Sequence, residues 1–129
     1  MSDLITAAHN DTMRLPTHKL VQALNENLGT TLVAYMANVR SRQLPKRWAT
    51  EPTEPMHTEP RDEAKQRLQL AHQVFRLLEE DGNEYVARQW LIGANPRFGG
   101  QTPAERIREF DAPAVYGALY AFIEDVGGA

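Results

Sequence analysis

The chain has 129 residues, 42% hydrophobic and 24% charged, enough for one domain or two very small ones sharing a core, with no covalent staple required. It has no cysteine, which excludes disulfides, thiolate chemistry and Cys-ligated metals; no apolar run approaches the roughly 20 residues of a membrane span, and MSDLITAAHNDTMRL lacks the basic-then-apolar order of a signal peptide, so a cytoplasmic protein is expected. The net charge of −3 divides unevenly: residues 1–50 carry six basic against three acidic groups and residues 51–129 eight against fourteen, which allows nucleic acid in front and a cationic partner behind, beside ordinary solvated faces.

Residues 1–15 show little periodicity and read as an arm. Thr17 can cap a helix with Leu20, Val21 and Leu24 on its apolar stripe, and Gly29 closes it. A second helix starts near Thr30, carrying Leu32, Val33, Tyr35 and Met36; the chain turns at Val39-Arg40, and Ser41 can cap a third helix containing Leu44 and Trp48. This rhythm is that of a helix-turn-helix, in which the last helix enters the major groove by its N-terminal end. Arg40, Ser41, Arg42, Gln43, Lys46 and Arg47 stand where base and phosphate contacts would be made. Pro45 complicates this: it removes a helical hydrogen bond and disfavours α at Leu44, and a helix starting only at Pro45 would pull Arg42 and Gln43 out of reading geometry. Two alternatives stand, a DNA-reading unit and a degenerate one kept for packing or oligomerisation.

Residues 50–60, TEPTEPMHTEP, are Thr/Glu/Pro-rich, and their prolines deny helix and central strand alike, so an extended, partly mobile linker over 51–60 is expected between the halves 1–50 and 61–129. The longest helix follows, RDEAKQRLQLAHQVFRLLEED, with Ala64, Leu68, Ala71, Val74, Phe75 and Leu78 at three- and four-residue steps and Gly82 as its stop. After a short turn comes Asn83 to Arg108, NEYVARQWLIGANPRFGGQTPAERIR. Asn83 can cap a helix whose Val86, Ala87, Trp90 and Leu91 share a face; Gly93 ends it, and Asn95-Pro96 forces the chain out of α. Gly99-Gly100 allows positive φ, and Thr102-Pro103-Ala104-Glu105 is a complete helix start. The last helix begins after Asp111 with Pro113 in its first turn; Val115, Leu119, Phe122, Ile123 and Val126 form its apolar side, Tyr116 and Tyr120 lie on a neighbouring face, and Gly127-Gly128-Ala129 is a flexible end. The fold class is therefore all-α, about six to seven helices in a compact domain.

The ordered set W-L, N-P, F-G-G and T-P-x-E resembles the toxin-binding domain of the MbcA/ParS/Xre family of bacterial antitoxins, over about residues 61–126. The resemblance implies the antitoxin of a type II toxin–antitoxin pair, a partner toxin with a RES domain acting on NAD, neutralisation by steric cover, and an Xre-like front half that represses its own operon on operator DNA. It implies that the C-terminal helix and tail reach toward the toxin's cleft. The residues expected on the toxin are Arg97 and Phe98, held in the Gly/Pro turn; Tyr116 and Tyr120, if they exceed what the core needs; Glu124 and Asp125, which would meet basic groups; and Gly127 and Gly128 in the tail. A homodimer or a larger hetero-oligomer with the toxin is expected. Phe98 reads equally as packing; Trp48 and Trp90 suit partner hot spots, but each sits on an apolar stripe, which favours the core.

No reaction centre is legible. His9, His18, His57 and His72 have no partner at metal-ligand spacing, the run Glu79-Glu80-Asp81 points apart around a helix, Gly99-Gly100 is no phosphate loop, and Ser2 and Ser41 lie outside nucleophile motifs. Neither enzyme, cofactor nor metal is expected. The reading from a different class is a stand-alone DNA-binding transcriptional regulator without a toxin partner, and a third is a structural adaptor.

Overall fold

A computed structural model describes residues 2–81 and 84–128 of the chain. Among these the order is α1 (Ser2–Arg14), α2 (Thr17–Leu28), α3 (Thr30–Met36), α4 (Gln43–Trp48), α5 (Asp62–Asp81), α6 (Glu84–Ile92), a 3-10 turn (Pro96–Phe98), α7 (Pro103–Arg108) and α8 (Ala112–Gly128). The fold is all-α. The added helix is α1, where a loose arm was expected: it packs along α5 with Ala8 and Thr12 buried.

α5 is the hub, touching α1, α2, α3, α6, α7 and α8. Its sequence reads as one apolar stripe, yet residues 71–75 are all buried, His72 and Gln73 included. A helix enclosed on nearly every side must satisfy its polar residues from its neighbours. The Thr12 hydroxyl of α1 and Nδ1 of His72 share a 2.7 Å hydrogen bond, and the Tyr116 hydroxyl of α8 donates to Oε1 of Gln73. Two polar contacts thus fix the flanking helices in register.

A continuous apolar cluster runs from Ala8 through Leu24, Met36 and Trp48 to Leu68, Leu78, Leu91 and Leu119. The front and back of the chain share this core. The stretch expected to be an extended linker is instead folded into turns, with Glu54 N–H donating to Glu51 O (2.9 Å) and His57 N–H to Glu54 O (3.0 Å). His57 Nε2 lies 2.6 Å from Glu59 Oε1, and Pro60 is buried. Among the described residues no helix is long and apolar enough to cross a membrane.

In the front, Gly29 ends α2 with φ 85° and Asn38 takes φ 63° after α3. α4 begins at Gln43, not at Pro45: Gln43 N–H donates to Ser41 Oγ (3.2 Å), and Pro45 sits in the first turn, where a missing N–H breaks no helical bond. Asn25 Nδ2 donates to the Pro45 carbonyl (3.0 Å), locking α4 to α2. Thr17 is the first residue of α2, and Pro16 rather than Thr17 holds the capping position. Asn83, expected as the cap of α6, and Gly82 lie outside the described residues.

Candidate partner-binding site

The connection from α6 to α7 is built by local chemistry. Asn95 is extended (φ −114°, ψ 124°), as the residue before a proline must be, and its side chain accepts from Arg97 N–H at 3.0 Å. Gly99 and Gly100 take φ 62° and 95°, which lets Gly100 N–H reach Asn95 O (3.2 Å) and brings Asn95 N–H to Gln101 O (2.9 Å). Thr102 then caps α7, accepting from Glu105 N–H at 3.1 Å, with Pro103 in the first helical position. The reciprocal bond from the Glu105 side chain is not made among the described residues.

This closed loop sends two neighbouring residues opposite ways. Phe98 turns inward, 7% exposed, beneath the guanidinium of Arg106, which lies 5.0 Å from the ring centroid. The expectation that Phe98 faces a partner is corrected: the core takes it. Arg97 turns outward, and its guanidinium lies along α8 at Gly117, where an added Cβ would stand 3.3 Å from Arg97 Nη2.

Between α6, the turn and α8 lies a groove of about 510 Å³. Its aromatic surface comes from Trp90 and Phe122, whose rings sit 6.2 Å apart and tilted by 47°. Ala94, Pro96, Ala118 and Ala121 add small apolar lining, and Arg97 and Asp125 supply opposite charges. Elsewhere on α6, Tyr85 (76% exposed) and Ile92 (46%) face outward.

Of the residues expected on a partner, Arg97, Glu124 and Asp125 are exposed, and Arg97 and Asp125 meet in one groove. Tyr116 faces α5 instead, with its hydroxyl on Gln73; burial, then the nearby Tyr120, raises its pKa above the usual tyrosine value. Tyr120 is half-buried. The supposedly flexible Gly127 and Gly128 continue α8. Sequence reasoning placed Trp90 in the core, where it is buried, but did not bring it together with Ala118, Ala121 and Phe122 as lining of a common groove, because three separate elements assemble it. Tyr85 and Ile92 were detectable: they fall on the helix face opposite Ala87, Trp90 and Leu91, where polar residues are the rule.

The residues expected on DNA form a second cluster. Arg40, Ser41, Arg42 and Gln43 line an open groove of about 610 Å³ with Tyr35 of α3 and Arg108 of α7, and Lys46 and Arg47 are exposed on α4. Arg108 joins the front to the back: Nη1 donates to Tyr35 O (2.9 Å), and its guanidinium lies 4.6 Å from the Tyr35 ring centroid.

Compared with known proteins, residues 70–122 match the family described as antitoxin Xre/MbcA/ParS C-terminal toxin-binding domain. No curated protein and no solved structure matches. The matched segment runs from the buried middle of α5 to Phe122 and so contains the closed loop, α7 and nearly all of the groove lining. The similarity to the toxin-binding domain of Xre/MbcA/ParS antitoxins thus covers 53 of the 129 residues.

Proposed function

We propose that the protein is the antitoxin of a type II toxin–antitoxin pair and neutralises a RES-type, NAD-consuming toxin by covering its nucleotide cleft. The family match over the groove-bearing segment carries this reading. The toxin contact centres on the outer end of α8, where Glu124 and Asp125 are exposed beside the groove and suit basic groups that hold NAD phosphates. No catalysis by the antitoxin is involved.

Deleting everything after Pro113 is a poor test, because Val115, Leu119 and Ile123 of α8 are buried in the core. Reversing two exposed charges is cleaner. Co-expressed with the toxin encoded by the adjacent reading frame, the unmodified protein should restore growth. The double variant Glu124→Lys/Asp125→Lys should fold normally and fail to protect, with affinity lowered by about tenfold or more. Full protection by the double variant removes α8 from the contact.

A second activity, repression of its own operon, is favoured by the charge of the front: residues 27–50 hold four basic groups and no acidic one, and all four, Arg40, Arg42, Lys46 and Arg47, are exposed. The chain would then be an autoregulator as well as an antitoxin, homodimeric on a two-fold operator. Arg42→Ala/Arg47→Ala should abolish a salt-sensitive mobility shift of its promoter DNA and leave toxin neutralisation intact. An unmodified protein that gives no shift at low salt refutes the repressor activity.

A further inference from the structure

We propose that the groove between α6, the 3-10 turn and α8 receives one apolar side chain of the toxin, flanked on the toxin by a carboxylate that pairs with Arg97 and a basic group that pairs with Asp125. The inference rests on the toxin-binding reading and specifies the chemistry that the toxin must present.

Two observations carry it. First, the Arg97 guanidinium makes no hydrogen bond or ion pair with another described residue, as is also true of Arg88 on α6, whereas Arg106 and Arg108 of α7 each have an acceptor or a carboxylate partner. It is nevertheless directed: the loop closed on Asn95 aims its backbone outward, and Gly117 leaves the space for it against α8. A cation seated beside an aromatic groove without a partner of its own is complementary to an incoming acid, and a planar guanidinium suits a carboxylate in two-point contact. Second, the same groove carries Asp125 at α8, so its two charges are opposite in sign and share the groove with the Trp90–Phe122 surface. A purely apolar ligand would use neither charge, and a purely anionic one would be repelled by Asp125. The occupant that uses the whole groove is an apolar residue between an acid and a base. Arg97 also lies between the two family-like features N-P and G-G in the chain, so the rigid turn that defines the motif presents it.

Gly117 provides a test that separates seat from fold. An alanine there favours the helix, and the only group it disturbs is the far end of the Arg97 side chain. The full-length protein and its variants are titrated calorimetrically against the toxin encoded by the adjacent reading frame, and each variant is melted in parallel. We expect Arg97→Glu to bind about thirtyfold or more weakly with an unchanged melting temperature, because a repulsion replaces the pair. Arg97→Lys, which keeps the charge and loses the planar fork, should weaken binding by about fivefold. Gly117→Ala should weaken binding by a similar factor of about five while melting no lower than the unmodified protein. Arg97→Glu should also flatten the salt dependence of binding. Binding by Arg97→Glu within about twofold of the unmodified protein overturns the carboxylate pairing and leaves the toxin-binding reading standing. If the unmodified protein itself does not bind, that reading falls, and this inference with it.

Discussion

Replacing Phe98 by alanine should lower the unfolding free energy by about 3–5 kcal/mol, whereas Arg97→Ala, one residue earlier, should change it by less than about 0.5 kcal/mol. Phe98 is 7% exposed and belongs to the central apolar cluster. The loop above it cannot simply collapse into the space vacated, because it is tied at both ends to Asn95: Phe98 N–H donates to Asn95 O (2.9 Å), and Asn95 N–H donates to Gln101 O (2.9 Å). A rigid rim preserves the cavity, which places the loss at the upper end for truncations of this kind. Arg106 adds to it. Its guanidinium stacks over the Phe98 ring and its Nε is buried without a hydrogen-bond partner, so the aromatic face is the compensation it has at that atom. Urea unfolding followed by circular dichroism gives both numbers. A Phe98→Ala protein within 1 kcal/mol of the unmodified one, on the order of an ordinary surface change, contradicts the core assignment. The pair also separates two kinds of lost toxin binding: at a temperature where both variants are folded, the defect should follow Arg97 and not Phe98.

The contrast between these neighbours marks where the sequence stops being informative. The loop itself was legible, since an Asn before proline, a double glycine and a Thr-Pro-x-Glu start are chemistry acting over two to four residues. Which of Arg97 and Phe98 points inward was not, because that depends on the space that residues distant in the chain leave in the core. The same limit explains α1. Its residues buried against the rest, Ala8 and Thr12, make a weak local stripe, and what holds the helix is His72, sixty residues away. His72 and Gln73 read as polar positions beside an apolar stripe; only the approach of Thr12 and Tyr116 from other helices makes burying them tolerable. Pro45 misled in the opposite sense. It suggested a later start for α4, yet a proline in a first turn leaves the start free, and its carbonyl, held by Asn25, helps set it. The groove was invisible for a topological reason: Arg97 needs Gly117 twenty residues later, and Trp90 needs Phe122. Family resemblance, carried by turn chemistry, thus reached the right segment without revealing its surface.

The junction of α1 and α5 should make the fold acid-sensitive in a range where most proteins are not. His72 is 2% exposed, and its pKa is lowered to about 4, first by burial and then by the Arg76 charge one turn on, with Asp11 of α1 opposing weakly. In the unfolded chain the ring titrates near 6.5. Between these values the unfolded state binds the proton and the folded state does not, so acidification favours unfolding. The contribution is fully present above about pH 6.5, is lost progressively as pH falls toward 4, and amounts to about 2 kcal/mol by pH 5 and about 3 kcal/mol below pH 4. α1 should yield first, since hydrating the protonated ring requires parting Thr12 from it, and the Asp11–Arg76 contact (3.3 Å) that also spans the junction is on the surface and weak. Comparing the unmodified protein with His72→Gln isolates the effect, because both carry the same carboxylates and the same three other histidines. Urea unfolding at pH 7, 6 and 5 should show the unmodified protein losing about 2 kcal/mol more than the variant over this range, with amide exchange in α1 rising before that in α5. Parallel pH dependences for the two proteins would mean that His72 is not held neutral by its surroundings, and that α1 is not anchored through it.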